Sequence, residues 1–146
     1  MILKWPGGKN KLFINNKHLF INNCESYIEP FLGGGSVFFN MQPRKAILSD
    51  INERLIILFE SLKNDHESLY LAVERLIQSH SDEQYYKIRK IFNSSDSGPE
   101  YFLYLNRTCF NGVYRENTKG EFNVPVGRRN SSFFPFTIED FKKYSD

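Results

Sequence analysis

Four short constellations in this 146-residue chain hold side chains able to do chemistry. The first is Glu29-Pro30-Phe31-Leu32-Gly33-Gly34-Gly35-Ser36. Glycines directly after an extended run let the backbone turn tightly, so amide N–H groups can face a ligand. A dinucleotide fingerprint, G-x-G-x-x-G, would need glycine at position 38, where Phe38 stands. The F-x-G-x-G form instead suits a nucleoside without a pyrophosphate. The second is Asp50, which follows the short apolar run Ala46–Leu48. A carboxylate at the tip of a second strand can accept hydrogen bonds from both hydroxyls of a ribose. The plainer alternative is a cap for a helix starting near Ile51-Asn52; taken with the glycine loop, ribose binding is favoured.

The third constellation is Trp5-Pro6-Gly7-Gly8-Lys9. An exposed indole beside paired glycines can stack on a flat ring or cover a ligand, and Lys9 offers a charge to a carboxylate or phosphate. On its own the segment reads better as an N-terminal arm held by one buried Trp. The fourth runs from Asn106-Arg107-Thr108-Cys109-Phe110-Asn111-Gly112-Val113-Tyr114-Arg115 to Phe122-Asn123-Val124-Pro125-Val126-Gly127-Arg128. Arginine can read guanine edges or grip phosphates, asparagine can read adenine, and a loop aromatic can wedge between bases. Alone, it fits a core helix followed by a solvated hairpin.

Positioning such groups requires elements, and the pattern supplies them. Ser26–Phe31 and Ala46–Ser49 read as short strands. Ser36–Met41 reads as a helix capped by Ser36, and Ile51–Lys63 as a second with Leu55, Leu58, Phe59 and Leu62 at helical spacing. That order is the opening of a doubly wound α/β sheet. Beyond it, His66–His80 and Asp82–Phe92 are amphipathic helices. Asn93–Gly98 is a break, Pro99 is well placed at a helix N-terminus, Glu100–Phe110 is a third helix, and Val113–Tyr114 with Glu121–Val126 form a hairpin. Two strands alone make a parallel sheet with little buried face, so further strands are expected outside residues 1–146, with the apolar face of Tyr27–Phe31 partly uncovered.

Composition bounds the rest. Apolar residues are 40% and aromatics 16%, enough for a core, which excludes a wholly disordered chain. The net charge of +2 does not by itself announce a nucleic acid, but its distribution is uneven. Lys4, Lys9, Lys11 and Lys17 stand in an acid-free start, and Arg107, Arg115, Lys119, Arg128 and Arg129 crowd the later basic segment. Both ends thus point weakly to an anionic partner. Cys24 and Cys109 form no CxxC, which argues against a disulfide scaffold or cysteine zinc site and fits a reducing compartment. No apolar run approaches a membrane span, and the start does not resemble a signal peptide.

Together and in this order, Leu3–Lys9, Tyr27–Phe39, Ala46–Leu58 and Leu103–Arg128 resemble the DNA adenine methyltransferases of the Dam family. The resemblance implies a Rossmann-like methyltransferase core with a helical, hairpin-bearing target-recognition insert. On this chain the core would begin over 1–63, the insert would span 64–130, and 131–146 would start the return to the core. The methyl donor would be S-adenosylmethionine (SAM) and the partner double-stranded DNA, with a GATC-like target. Trp5, Gly8, Lys9, Phe31, Gly33, Gly35 and Asp50 would serve the cofactor. Arg107, Phe110, Asn111, Val113, Arg115, Asn123, Pro125 and Arg128 would serve DNA, with Phe110 as the wedge near a flipped base. No metal and no membrane is implied. The protein would be bacterial or phage-encoded, cytoplasmic and monomeric when intact.

One departure bears on activity. The family's catalytic Asp-Pro-Pro-Tyr lies downstream of the insert, and this sequence contains no Pro-Pro dipeptide. The amine of adenine is a poor nucleophile until acceptors take its N–H hydrogens and an aromatic holds the flipped base. No residue of 1–146 is assigned that work. The expectation is therefore an N-terminal portion of a methyltransferase. The alternatives are a fragment that binds DNA and SAM without turnover, and a nucleotide-cofactor domain such as a dehydrogenase half, against which Phe38 and the basic hairpin argue.

Overall fold

The computed structural model describes residues 1–20, 25–94, 97–128 and 134–145. Cys24 and Arg129, singled out above, lie outside them, as does part of the Asn93–Gly98 break. The order is α1 (Asn10–Asn15), β1 (Tyr27–Glu29), α2 (Ser36–Met41), β2 (Ala46–Leu48), α3 (Glu53–Asn64), α4 (His66–Gln78), α5 (Asp82–Phe92), α6 (Pro99–Thr108) and α7 (Ile138–Ser145). The architecture is mixed α/β. Among the described residues the sheet is β1 beside β2, parallel, with Ile28 opposite Ile47. The ladder continues where Leu32 N–H donates to the Ser49 carbonyl. Ile28 and Ile47 stand exposed on one face.

The helices start where their sequences say. Asn52, Asp65 and Ser81 each accept a backbone N–H with the side chain at the head of α3, α4 and α5, which satisfies one of the donors a helix start leaves open. Pro99 opens α6, where its missing N–H costs nothing. Their apolar stripes meet in one core. Leu55, Leu58 and Leu62 of α3, Leu69, Val73 and Ile77 of α4, and Tyr85, Ile88 and Phe92 of α5 gather around Phe102–Leu105 of α6, joined by Ile2, Leu3, Phe122, Val124 and Phe141.

Three expectations need correction. Ser36 does not cap α2: the cap position is Gly35, at φ +68°, and Ser36 is the first helical residue, its hydroxyl accepting from Lys9 N–H at 3.0 Å. Helix α6 ends at Thr108, after which Phe110–Gly112 makes a 3₁₀ turn. The hairpin is an antiparallel excursion with bridges at Cys109 with Val126 and at Glu116 with Phe122, rather than two regular strands.

Candidate functional site

The bend between β1 and α2 closes with Gly35 N–H donating to the Leu32 carbonyl, and Gly33 and Gly35 both stand at positive φ, which glycine adopts without steric cost. It brings Gly33 N–H to an oxygen of Asp50 at 2.7 Å, while the other oxygen accepts Asn52 N–H at 3.0 Å. The side chain that caps α3 is Asn52, so capping does not occupy Asp50. A carboxylate offers about four lone-pair sites, so roughly two remain for a ligand. Beside it Ile51 is 98% exposed, and Phe31, at the other end of the bend, is 85% exposed.

Trp5 lies on this bend. A Cβ placed on Gly33 would stand 3.0 Å from the indole Cδ1, and one on Gly34 would stand 3.0 Å from Trp5 Cβ. The indole is half-buried rather than exposed, stacked on Tyr114 (centroids 5.3 Å apart, planes 22°) and on Phe102 (6.2 Å, 24°). Asn106 holds its arm in place. Buried in α6 at 1% exposure, it accepts from Lys4 N–H at 2.8 Å and donates to the Lys4 carbonyl at 2.7 Å and the Gly112 carbonyl at 3.3 Å. Gly8 N–H donates back to the Trp5 carbonyl, and Lys9 Nζ to the Gly7 carbonyl.

The basic excursion leans on α5. Tyr85 Oη and Arg89 Nη1 both donate to the Val124 carbonyl, at 2.8 and 3.1 Å. Asn93 clasps Phe122 in both directions, donating at 3.0 Å and accepting at 2.8 Å. These residues recur at i, i+4 and i+8, on one helix face. Within the excursion Arg115 Nε donates to Asn123 Oδ1 at 2.8 Å and Phe110 N–H to the Pro125 carbonyl at 2.9 Å. Phe110, Asn111, Val113, Arg115, Pro125 and Arg128 are exposed. Arg107 is placed differently: half-buried, its guanidinium lies 5.0 Å from the Phe136 ring centroid, and burial lowers its pKa. A hollow of about 330 Å³ opens beside Tyr86, Arg89 and Lys90 and shares no residue with the Gly33–Asp50 group.

Electrostatics narrow the chemistry. Burial pushes the Cys109 thiol up to about 11, so it is a thiol rather than a thiolate nucleophile at neutral pH. Burial, reinforced by Glu116, pushes the Tyr114 hydroxyl up to about 12, so it stays a donor, and it donates to Glu116. Among the described residues no group of three His, Cys, Asp or Glu could hold a metal ion, and no helix is long and apolar enough to cross a membrane.

The family model described as D12 class N6 adenine-specific DNA methyltransferase matches residues 5–146. The chain belongs to this family. It is 42% identical over 139 residues to the DNA adenine methylase of Escherichia coli K12, covering 91% of this chain and 49% of that protein. It is 41% identical over 139 residues to the DNA adenine methylase of Serratia marcescens, covering 91% and 51%. It is 40% identical over 148 residues to the Type II methyltransferase M.MjaIII of Methanocaldococcus jannaschii, covering 86% and 51%. The chain thus spans about half the length of the curated relatives it matches.

The structure brings Trp5, Gly33 and Asp50 together, and separately Arg115 with Asn123 and Phe110 with Pro125. Sequence reasoning missed Asn106, Tyr114, Ile51 and the Tyr85–Arg89–Asn93 stripe. The stripe's spacing was a usable signal. A buried asparagine acting as a surrogate for backbone, as Asn106 does, leaves none.

Proposed function

We infer that the chain carries the SAM-binding and DNA-reading portion of a DNA adenine N6-methyltransferase acting on a GATC-like duplex. The observation that supports it most is the Gly33 amide meeting the Asp50 carboxylate beneath Trp5. The residues present fit a nucleoside: Asp50 keeps acceptor capacity for a ribose diol, and the exposed Ile51 and Phe31 flank it with apolar surface suited to a purine face. In this reading residues 1–63 open a Rossmann-like core, 64–130 form the recognition insert, and 131–146 begin the return. The bound cofactor supplies an electrophilic sulfonium methyl. The chain's own work is to hold the ribose through Asp50, to present Arg115, Asn111 and Asn123 to base edges, and to set Phe110 where an unstacked base needs a wedge.

Calorimetric titration with SAM and anisotropy titration of GATC and scrambled duplexes at rising salt test this. SAM binds and Asp50→Ala abolishes binding; the GATC duplex binds more tightly than the scrambled one, and both weaken with salt as phosphate contacts release counterions. Stabilisation by NAD in place of SAM in a thermal-shift competition would overturn it. A second reading, binding without turnover, is favoured by the lack of a Pro-Pro dipeptide in the sequence. Tritium transfer from SAM to the GATC duplex by this chain separates the two.

A further inference from the structure

We propose that Tyr114 is a positioning residue that couples the nucleoside bend to the DNA-reading excursion through Trp5, so that the two ligands bind cooperatively. The inference rests on the function proposed above. The same parts are tied together. The Trp5 indole rests on Gly33 and Gly34 and stacks on Tyr114 at 5.3 Å. Tyr114 adjoins Arg115, whose Nε is already engaged by Asn123 across the excursion. Asn106 then fixes both roots, Lys4 before Trp5 and Gly112 before Val113-Tyr114.

A ligand that settles the bend around Asp50 must settle the indole lying on it. The indole is stacked on Tyr114, so the same adjustment sets the backbone position from which the Arg115–Asn123 pair is presented. Duplex binding, working from Arg115 backwards, favours the same indole position. Linkage then requires each ligand to tighten the other by one common factor.

The test uses sinefungin, a SAM analogue with no methyl to transfer, and a GATC duplex, with the intact chain. Trp5 is the only tryptophan, so its emission reports the indole directly. Duplex affinity is measured with and without saturating sinefungin, and sinefungin affinity with and without saturating duplex. Both tighten by the same factor, about fivefold or more, and duplex alone shifts Trp5 emission. Tyr114→Leu binds both ligands with the factor reduced towards one, whereas Tyr114→Phe, which keeps the ring, retains it. A factor of one in the wild type while both ligands bind, or a full factor in Tyr114→Leu, overturns the coupling. Failure of sinefungin to bind at all overturns the functional reading instead, and the inference with it. Should Tyr114→Leu not fold, Tyr114→Met, which fills the same space without a ring, is read in its place: a factor near one supports the coupling through Tyr114 and a full factor overturns it.

Discussion

The backbone N–H of Gly33 donates to the carboxylate of Asp50 across 2.7 Å, joining two strand tips that are 17 residues apart in the chain. The bond has a direction that matters. The glycine bend presents a donor, the strand tip an acceptor, and the second carboxylate oxygen is held by Asn52 N–H. Asp50 is thus oriented before any ligand arrives, and what it still offers is acceptor capacity alone.

Asp50→Asn follows from that geometry. Gly33 and Asn52 face different oxygens of Asp50, so a carboxamide in the same orientation sets its NH2 against one of their N–H groups. The ribose diol also loses a charged acceptor. SAM affinity falls by about 2 kcal/mol, roughly thirtyfold, measured by calorimetry. Unchanged affinity would remove Asp50 from the cofactor site.

Asn106→Ala strands the Lys4 N–H and the carbonyls of Lys4 and Gly112. Each unsatisfied group costs about 1–3 kcal/mol when water cannot reach it, and partial access lowers the sum to about 2–4 kcal/mol. Urea denaturation reads the loss. Asn16→Ala, at a partly buried position where the side chain bonds only to Leu12 of its own turn, shifts the midpoint little.

Asp50 and Asn106 stand on opposite sides of what the sequence discloses. Asp50 and the glycines were legible because local rules place a glycine bend and an acid at adjacent strand tips. Helices α2 and α5 match their expected bounds residue for residue, α5 because Ser81 caps it and its apolar face repeats at i+3 and i+4, α2 although its cap is Gly35 rather than Ser36. Helix α7 was missed although Thr137 and Asp140 cap it reciprocally, a T-x-x-D signal open to reading. Helix α1 was not legible, for it is short, asparagine-rich, and uncapped by Lys9. The excursion reads as a hairpin by alternation. Side chains distant in sequence, Asn93, Tyr85 and Arg89, take backbone groups that a strand ladder would have used, and no local pattern announces that.

Two glycines of similar backbone separate strain from crowding. Gly120, at φ +76°, has nothing within 4 Å of where a Cβ would go, so Gly120→Ala costs only the left-handed penalty of about 1–2 kcal/mol. Gly35, at φ +68°, would set that Cβ 2.6 Å from a Phe39 ring carbon. Phe39 cannot yield freely, being packed against Phe38, Phe59 and Tyr144. Gly35→Ala costs about 1–3 kcal/mol beyond Gly120→Ala, read from paired denaturation curves; equal losses would contradict the crowding.

His80 gives a pH dependence. Its Nδ1 lies 2.7 Å from the Tyr104 hydroxyl, and burial lowers its pKa below the usual 6.5, with Asp82 opposing more weakly. The unfolded chain therefore takes up the proton first as pH falls. Stability is intact above about 6.5 and declines below it, the direction linkage requires when the unfolded state binds more protons. Melting temperature measured across that range falls towards acid in the wild type, and His80→Gln flattens the part of the decline that His80 contributes. An identical slope in both proteins would assign the effect elsewhere.

Arg115 offers the sharpest test of DNA reading. Its Nε is spent on Asn123 Oδ1, which fixes the plane of the guanidinium. Its two terminal nitrogens have no hydrogen-bond partner among the described residues. An arginine held at one nitrogen and open at two is prepared for a bidentate contact, the geometry that distinguishes guanine from the other bases. Arg115→Ala then narrows the gap between GATC and single-mismatch duplexes by about 1–3 kcal/mol at one base pair. Arg115→Lys, which keeps the charge without the fork, recovers affinity for any duplex but not that discrimination. A uniform loss across all sequences, with a shallower salt slope, would show instead that Arg115 grips a phosphate.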